Sequence, residues 1–413
     1  MILLKILYLF KIMKILCQNQ QVHLTYSMNV HPGETAEEVI QNILGYVIPV
    51  KKILSPHQAF GIGLRLSFQA AREFETQDKI QKLQALCQEY DLYVFTINGF
   101  IYDNFHKGSV KETVYSPDWR DTRRLDYTSI LARLLCKLIP ENSPGSISTV
   151  PVGWKENFRT QDDMQKAVCL LLEQAAYLDR LYQETGKIVS LALEPEPGCI
   201  LETASQTADF FQKELLSQKN MDHLKKISGI SSCQEIVRRH LGICYDTCHI
   251  AIFHEKPSEA LSLLQKAGVF VSKIQISSAL KMQFYAKDNK VQHVLSPFIE
   301  SRYLHQVIEK QGESLAFFPD LPLALQSLQK RLDNPLLEWR IHFHVPIFLQ
   351  NLGDIKTTQE HILELLPLCK KSPVCHHFEV ETYTWEVLPD RFRESDMVNA
   401  IAKELQWAKE KIL

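Results

Sequence analysis

The feature that most narrows what this chain can fold into is a set of short apolar runs that end on carboxylates or imidazoles. The clearest is Leu241 to Ile250, read as Leu-Gly-Ile-Cys-Tyr-Asp-Thr-Cys-His-Ile. It has the form of a buried strand that delivers Asp246 at its C-terminal end. His249 follows on the first turn of the next segment, near enough to share one metal ion or one substrate. Three more runs have the same character: Leu191 to Glu196, Ile341 to Pro346 and Phe378 to Thr382. Helix-like amphipathic stretches stand between the strands, among them 35–46, 161–184, 258–267, 322–332 and 357–366. With the early strand-like runs Leu24 to Val30, Phe60 to Ser67 and Leu92 to Asn98, this is the alternation of βαβ units on a parallel sheet.

Nine strand candidates stand against an architecture that wants eight. The predicted fold class is α/β, an eight-stranded (β/α) TIM barrel with a long insertion before the last strands. Polar groups cluster at strand C-termini, where such a barrel builds its site from the βα loops. The stretch between Ser277 and Trp339 predicts the insertion, and either Ile274 to Ser277 or Ile341 to Val345 fills the seventh position. A doubly wound open sheet is the alternative, but no Gly-x-Gly-x-x-Gly follows any strand to support it. The long connection from Phe100 to about Asn142 reads as a lid or as a plain solvated loop. His106, Lys111 and Arg120 are its candidates for contact with an anionic or hydroxylated ligand.

Composition excludes whole classes of function. With 413 residues and 45% hydrophobic content the chain can bury a large core. A formal net charge of −2 and a pI near 6.7 provide no general field for nucleic acid, so no nucleic-acid partner is expected. Ten scattered cysteines without a CxxC pair fit reduced thiols and a cytoplasmic location. Cys244 and Cys248 read as small buried apolar residues. Met1 to Leu16 is apolar but interrupted by Lys5, Lys11 and Lys14, too short and too charged to span a bilayer. Residues 1–21 are therefore expected to be an apolar extension outside the fold, with 22–413 a single barrel domain and no stable membrane insertion. An amphipathic helix touching a membrane is the alternative for the extension.

Side-chain parity sharpens the site. Residues two apart on a strand share a face, so Glu194 with Glu196, His342 with His344, and Glu379 with Glu381 can each point the same way, one deeper and one nearer the mouth. Carboxylates converging out of water need a cation or donors, or else they protonate. A mixed carboxylate and imidazole set suits a divalent metal, Mn, Zn, Mg or Fe.

The order Glu-Pro, Asp-x-x-His, a later His or Gln strand and a last-strand Glu resembles the xylose-isomerase-like barrels. These include sugar phosphate isomerases and epimerases and the endonuclease IV branch. More narrowly, Asn-Val-His-Pro-Gly-Glu (29–34), Thr-Ile-Asn-Gly-Phe (96–100), Val-Lys-Glu-Thr-Val-Tyr (110–115), Leu-Glu-Pro-Glu-Pro-Gly (193–198), His-Phe-His-Val-Pro (342–346) and Glu-Val-Glu-Thr-Tyr-Thr-Trp (379–385) resemble the EboE-type metabolite traffic proteins, over roughly Val22 to the C-terminus.

The resemblance implies a divalent metal held by Glu194, Asp246, a His and Glu381, with Glu194 and Glu381 as the acid and base on opposite faces of the substrate. Gln275 stands where those enzymes place the His ligand, which leaves His344 or His342 to supply the imidazole. His249 matches a substrate-facing or supporting His. The implied setting is export of a secondary-metabolite precursor, with a small-molecule metabolite and other proteins of that pathway as partners.

His31, Asn98, Glu196, His249, Gln275, His342 and Glu379 complete the candidate substrate-binding set. Glu196 and Glu379 are also expected behind the site, paired with Lys or Arg, while His31 and Asn98 equally suit caps of a following turn. Two readings stay open: a metal-dependent isomerase or epimerase that moves a proton next to a carbonyl, and a non-catalytic handover barrel. A third, phosphoester hydrolysis of the endonuclease IV kind, wants a denser set of His ligands and a basic groove.

Overall fold

Apolar runs buried on both faces need cover on both faces, and parallel strands joined by crossover helices supply it. The computed structural model describes residues 14–17, 20–106, 108–371, 374–394 and 396–413. Among these, eight parallel strands form the barrel: Gln20–Tyr26, Phe60–Arg65, Leu92–Asn98, Gly145–Thr149, Val189–Leu193, Leu241–Asp246, Val271–Ile276 and His377–Val380. Each pairs in parallel with its neighbour through the series. The eighth strand lies between the seventh and the first, with Phe378 opposite Ile274 and His377 opposite His23. A parallel bridge from Ser27 to Gly63 brings the first strand to the second. This closure excludes the doubly wound open sheet.

Capped helices return the chain between strands. Thr35 and Glu38 close a reciprocal capping box ahead of Ala36–Asn42, and Thr160 with Asp163 does the same for Gln161–Thr185. Met397–Ile412 follows the last strand and covers the barrel. No helix among the described residues is long and apolar enough to cross a membrane.

The structure takes up one of the two candidates for the seventh position, and it corrects the reading of the long connection. The seventh strand is Val271–Ile276, directly after the crossover helix Pro257–Lys266, and the chain takes its insertion only afterwards. The other candidate ends at Ile341: Leu336–Ile341 lies in a separate antiparallel sheet with Leu280–Tyr285 and Val307–Gln311 as its neighbours. Residues 342–345 mimic a strand by alternation, but they form an extended return held by His342 N to Gln306 O (2.8 Å) and Val345 N to Ser278 O (2.9 Å).

The connection after the third strand is no continuous loop either. Thr122–Leu138 is helical, capped by Asp121 and burying Tyr127, Ile130, Leu131, Leu134 and Leu135. Ahead of Val22, Lys14–Cys17 runs antiparallel to the first barrel strand, with Lys14 opposite His23 and Cys17 opposite Gln20. Residues 1–13, 18 and 19 lie outside the described residues, and so does the expectation made for them.

Candidate metal centre and its pocket

The barrel interior is layered. Near its floor His377 donates or accepts at Ser146 Oγ (2.8 Å) and meets Phe95 edge-on, with His23 alongside. One layer up, Lys273 Nζ donates to Glu379 Oε2 at 2.6 Å, both side chains being buried. Burial works against the Lys273 charge, but Glu379 outweighs it and holds the ammonium above its usual range. Gly63 makes room here, because a Cβ on it would overlap Glu379 Oε1.

The next layer carries the carboxylates. Glu194, just past the fifth strand, Asp246, at the end of the sixth, and Glu381, just past the eighth, present ligand atoms within 4.8 Å of one another, all buried. Asp246 caps the short helix Thr247–Ile252. Its Oδ1 accepts from His249 N (3.0 Å) and Ser277 Oγ (2.6 Å), which locks the rotamer, while Oδ2 is buried without a partner. Glu194 Oε2 is likewise unpartnered. Glu381 Oε1 accepts from three amides, Asn29 Nδ2 at 2.8 Å, Gln275 Nε2 at 2.9 Å and Asn98 Nδ2 at 3.0 Å, leaving Oε2 for the site. Burial, then the neighbouring carboxylates, raises both Glu194 and Glu381 well above the ordinary range. Orphaned oxygens and crowded carboxylates are what a divalent cation would resolve, so the residues fit one.

Beside this cluster, three imidazoles converge. His249 Nε2 is 3.0 Å from His342 Nε2 and 3.4 Å from His344 Nε2, and the last two are 3.2 Å apart. His344, expected among the carboxylates, is within 4.8 Å of Asp246 and His249 as a potential ligand set, whereas no such set unites it with Glu194 or Glu381. Its Nδ1–H instead donates to the Glu381 carbonyl (2.8 Å). Burial lowers the basicity of all three rings, His249 to about 4.

A cleft opens onto this centre. Asn29, Asn98, Glu194, Glu196, His249, His342 and Glu381 supply its polar lining, and Phe100, Ile101, Phe105, Tyr303, Leu304 and Tyr383 much of its apolar wall. Glu196 sits toward the mouth, where Tyr115 Oη donates to it at 2.6 Å. Burial pushes Glu196 up to about 8 against the pull of that hydrogen bond.

Residues after the third strand cover one side of the cleft. They are tied to the insertion by Val110 N to Arg302 O (2.8 Å) and by Lys111 Nζ to Asp320 Oδ2 (2.6 Å). Lys111 lines the cleft. His106 is buried beside it, bonded to the Asn29 carbonyl (2.8 Å).

Other sequence candidates lie elsewhere. His31 is buried against Tyr46, with its Nε2 on Tyr26 Oη (3.0 Å), so the side chain that reaches the centre from its motif is Asn29. Glu379 is consumed by Lys273, and Gln275 reaches the centre only through Glu381. Arg120 turns away onto Asp118 and Asp163.

Tyr115 and Gln306 were not singled out by sequence. Gln306 Nε2 donates to Tyr115 Oη (3.0 Å) and to the Pro197 carbonyl (3.1 Å), and its Oε1 faces His342 Nδ1 (2.8 Å). Tyr115 was signalled only as the end of its hexapeptide. Nothing local marks Gln306, which the insertion brings from afar.

No family model matches the chain, and no curated protein does. Among solved structures it is similar to a D-tagatose 3-epimerase-like protein, at 12% identity and TM-score 0.45, over 94% of this chain and 99% of that one. It is also similar to the IOLI protein solved with a bound zinc atom, at 11% identity and TM-score 0.42, over 94% and 97% of the two chains. A xylose isomerase domain protein from Alicyclobacillus acidocaldarius subsp. acidocaldarius shows 10% identity and TM-score 0.39, over 94% and 96%. The (β/α) barrel itself rests on the strand pairing.

Proposed function

We propose that the protein is a divalent-metal-dependent isomerase or epimerase of a small polyhydroxylated metabolite. The observation that carries this reading is the buried convergence of Glu194, Asp246 and Glu381 on one point at the head of the barrel. These three would hold the ion, Mn, Zn, Mg or Fe, which when bound polarises a carbonyl and acidifies the proton beside it. Glu381, fixed by three amide donors, presents Oε2 as the base that takes a proton from that carbon. Glu194, across the cluster from it, returns a proton as the acid. Asn29, Asn98 and Lys111 line the cleft as donors to hydroxyl groups, and its aromatic wall excludes water.

The resemblance to EboE-type proteins supports placing this chemistry in a metabolite traffic pathway in the cytoplasm, with other proteins of that pathway as partners. One observation favours the second reading, a non-catalytic handover barrel: the three amides on Glu381 compensate part of its charge without an ion.

Elemental analysis of the purified protein, followed by deuterium exchange from heavy water into a panel of aldoses, ketoses and polyol-derived ketones, separates the two. Stoichiometric metal that is lost in Asp246→Ala, with exchange abolished in Glu381→Gln, supports the enzyme. Absence of both metal and exchange, with a panel compound still bound, establishes the carrier instead.

A further inference from the structure

The three imidazoles carry more than a supporting role. His249 Nδ1 faces the Pro195 carbonyl (3.0 Å) and His344 Nδ1 faces the Glu381 carbonyl (2.8 Å). A carbonyl only accepts, so both rings hold their proton on Nδ1. His342 Nδ1 faces Gln306 Oε1, and that amide is oriented by its own Nε2, which donates to the Pro197 carbonyl. His342 is therefore also an Nδ1–H tautomer.

It follows that all three Nε2 atoms point bare lone pairs at one another across 3.0 to 3.4 Å. No proton is left to bridge them unless one ring becomes an imidazolium. Burial of all three rings opposes that. A cation between them removes the conflict. Zinc binds imidazole nitrogen at about 2.0–2.1 Å, so a tetrahedral site separates its ligand nitrogens by about 3.3–3.4 Å. The observed separations are close to that edge.

We infer that His249, His342 and His344 form a second divalent-cation site, selective for a borderline-soft ion of the zinc class and distinct from the carboxylate cluster. Asp246, whose Oδ2 is buried and unpartnered, is within ligand distance of His249 and His344 as well as of Glu194 and Glu381, and is the residue through which the two ions would meet. Gln306 acts as a positioning residue, fixing the His342 tautomer. Oxygen ligands of the carboxylate cluster suit a harder ion, so the two sites differ in preference as well as place.

The test is titration of chelator-stripped full-length protein with Co(II) and with Zn(II), read by elemental stoichiometry after desalting and by the visible absorption of tetrahedral Co(II). Two equivalents are expected in the wild type. His342→Gln should remove one of them together with the tetrahedral Co(II) band, whereas Glu194→Gln should leave that band in place. Gln306→Leu keeps all three ligands and should weaken the tetrahedral site about 10- to 100-fold. It serves as the deciding variant if circular dichroism shows that His342→Gln does not fold. A single equivalent whose spectrum and affinity are unchanged in Gln306→Leu and His342→Gln would overturn the inference. Proton exchange plays no part in the readout, so the result stands apart from the isomerase proposal.

Discussion

The two halves of the polar centre are built by different means. Glu194, Asp246 and Glu381 come from the ends of barrel strands that parallel pairing holds in register. His342 and His344 come from an extended return of the insertion, fixed by two backbone hydrogen bonds and by side-chain contacts at each ring. The carboxylate half is thus a property of the fold, while two of the three imidazoles, His342 and His344, are a property of this chain's insertion that meets His249 of the barrel. A common scaffold can keep the first and lose the second by changing a loop.

The division is most directly broken by comparing turnover in the two halves. Glu381→Gln should lower proton exchange by about 100- to 10,000-fold, as expected for loss of a general acid or base. His344→Gln should cost markedly less in the same assay. Equal losses would show that the halves act as one unit.

Stability tests sharpen the contrast beneath the site. Lys273→Met leaves Glu379 buried without its partner and should destabilise the protein by about 3–5 kcal/mol in urea unfolding, and Lys273→Met with Glu379→Leu should recover most of that. Glu404 joins the halves, accepting from Thr382 Oγ1 (2.7 Å) beyond Glu381 and from Ile347 N (3.0 Å) beyond His344. Burial raises Glu404 to about 7 against those hydrogen bonds.

The folded state therefore keeps a proton that the unfolded chain gives up above the ordinary carboxylate range. The stabilisation from Glu404 is complete below about pH 4.5 and is lost as pH climbs to about 7, a change on the order of 3 kcal/mol. Glu404→Gln should flatten that part of the pH–stability curve relative to the wild type, and an unchanged slope would refute the assignment. The smallest effect belongs to the tie across the cleft. Lys111→Met breaks a partly exposed pair with Asp320 and should shift global stability by less than about 1 kcal/mol. Cleavage after the third strand by added protease should nonetheless become faster.

The barrel half was legible because strand runs and strand-end carboxylates are local signals. Asp246 and His249 stand three apart because one caps the turn that carries the other. The pairing of Glu379 beneath Glu381 follows from parity alone. His31 misled because its motif was read without its register: Asn29 is the residue that reaches Glu381, and His31 packs on Tyr46. The imidazole half was half legible. Two histidines two apart announce a shared face, but their meeting with His249 depends on a return path set by an antiparallel sheet whose partners are remote in sequence.

Gly63 has a consequence for descent. With no side chain there, the barrel interior admits the Lys273 and Glu379 pair, and a Cβ would also lie 2.7 Å from the Tyr26 carbonyl. In any set of homologues glycine should therefore persist at position 63 even in lineages that trade the Lys273 and Glu379 pair for apolar residues, because the Tyr26 carbonyl belongs to the backbone and stays where it is.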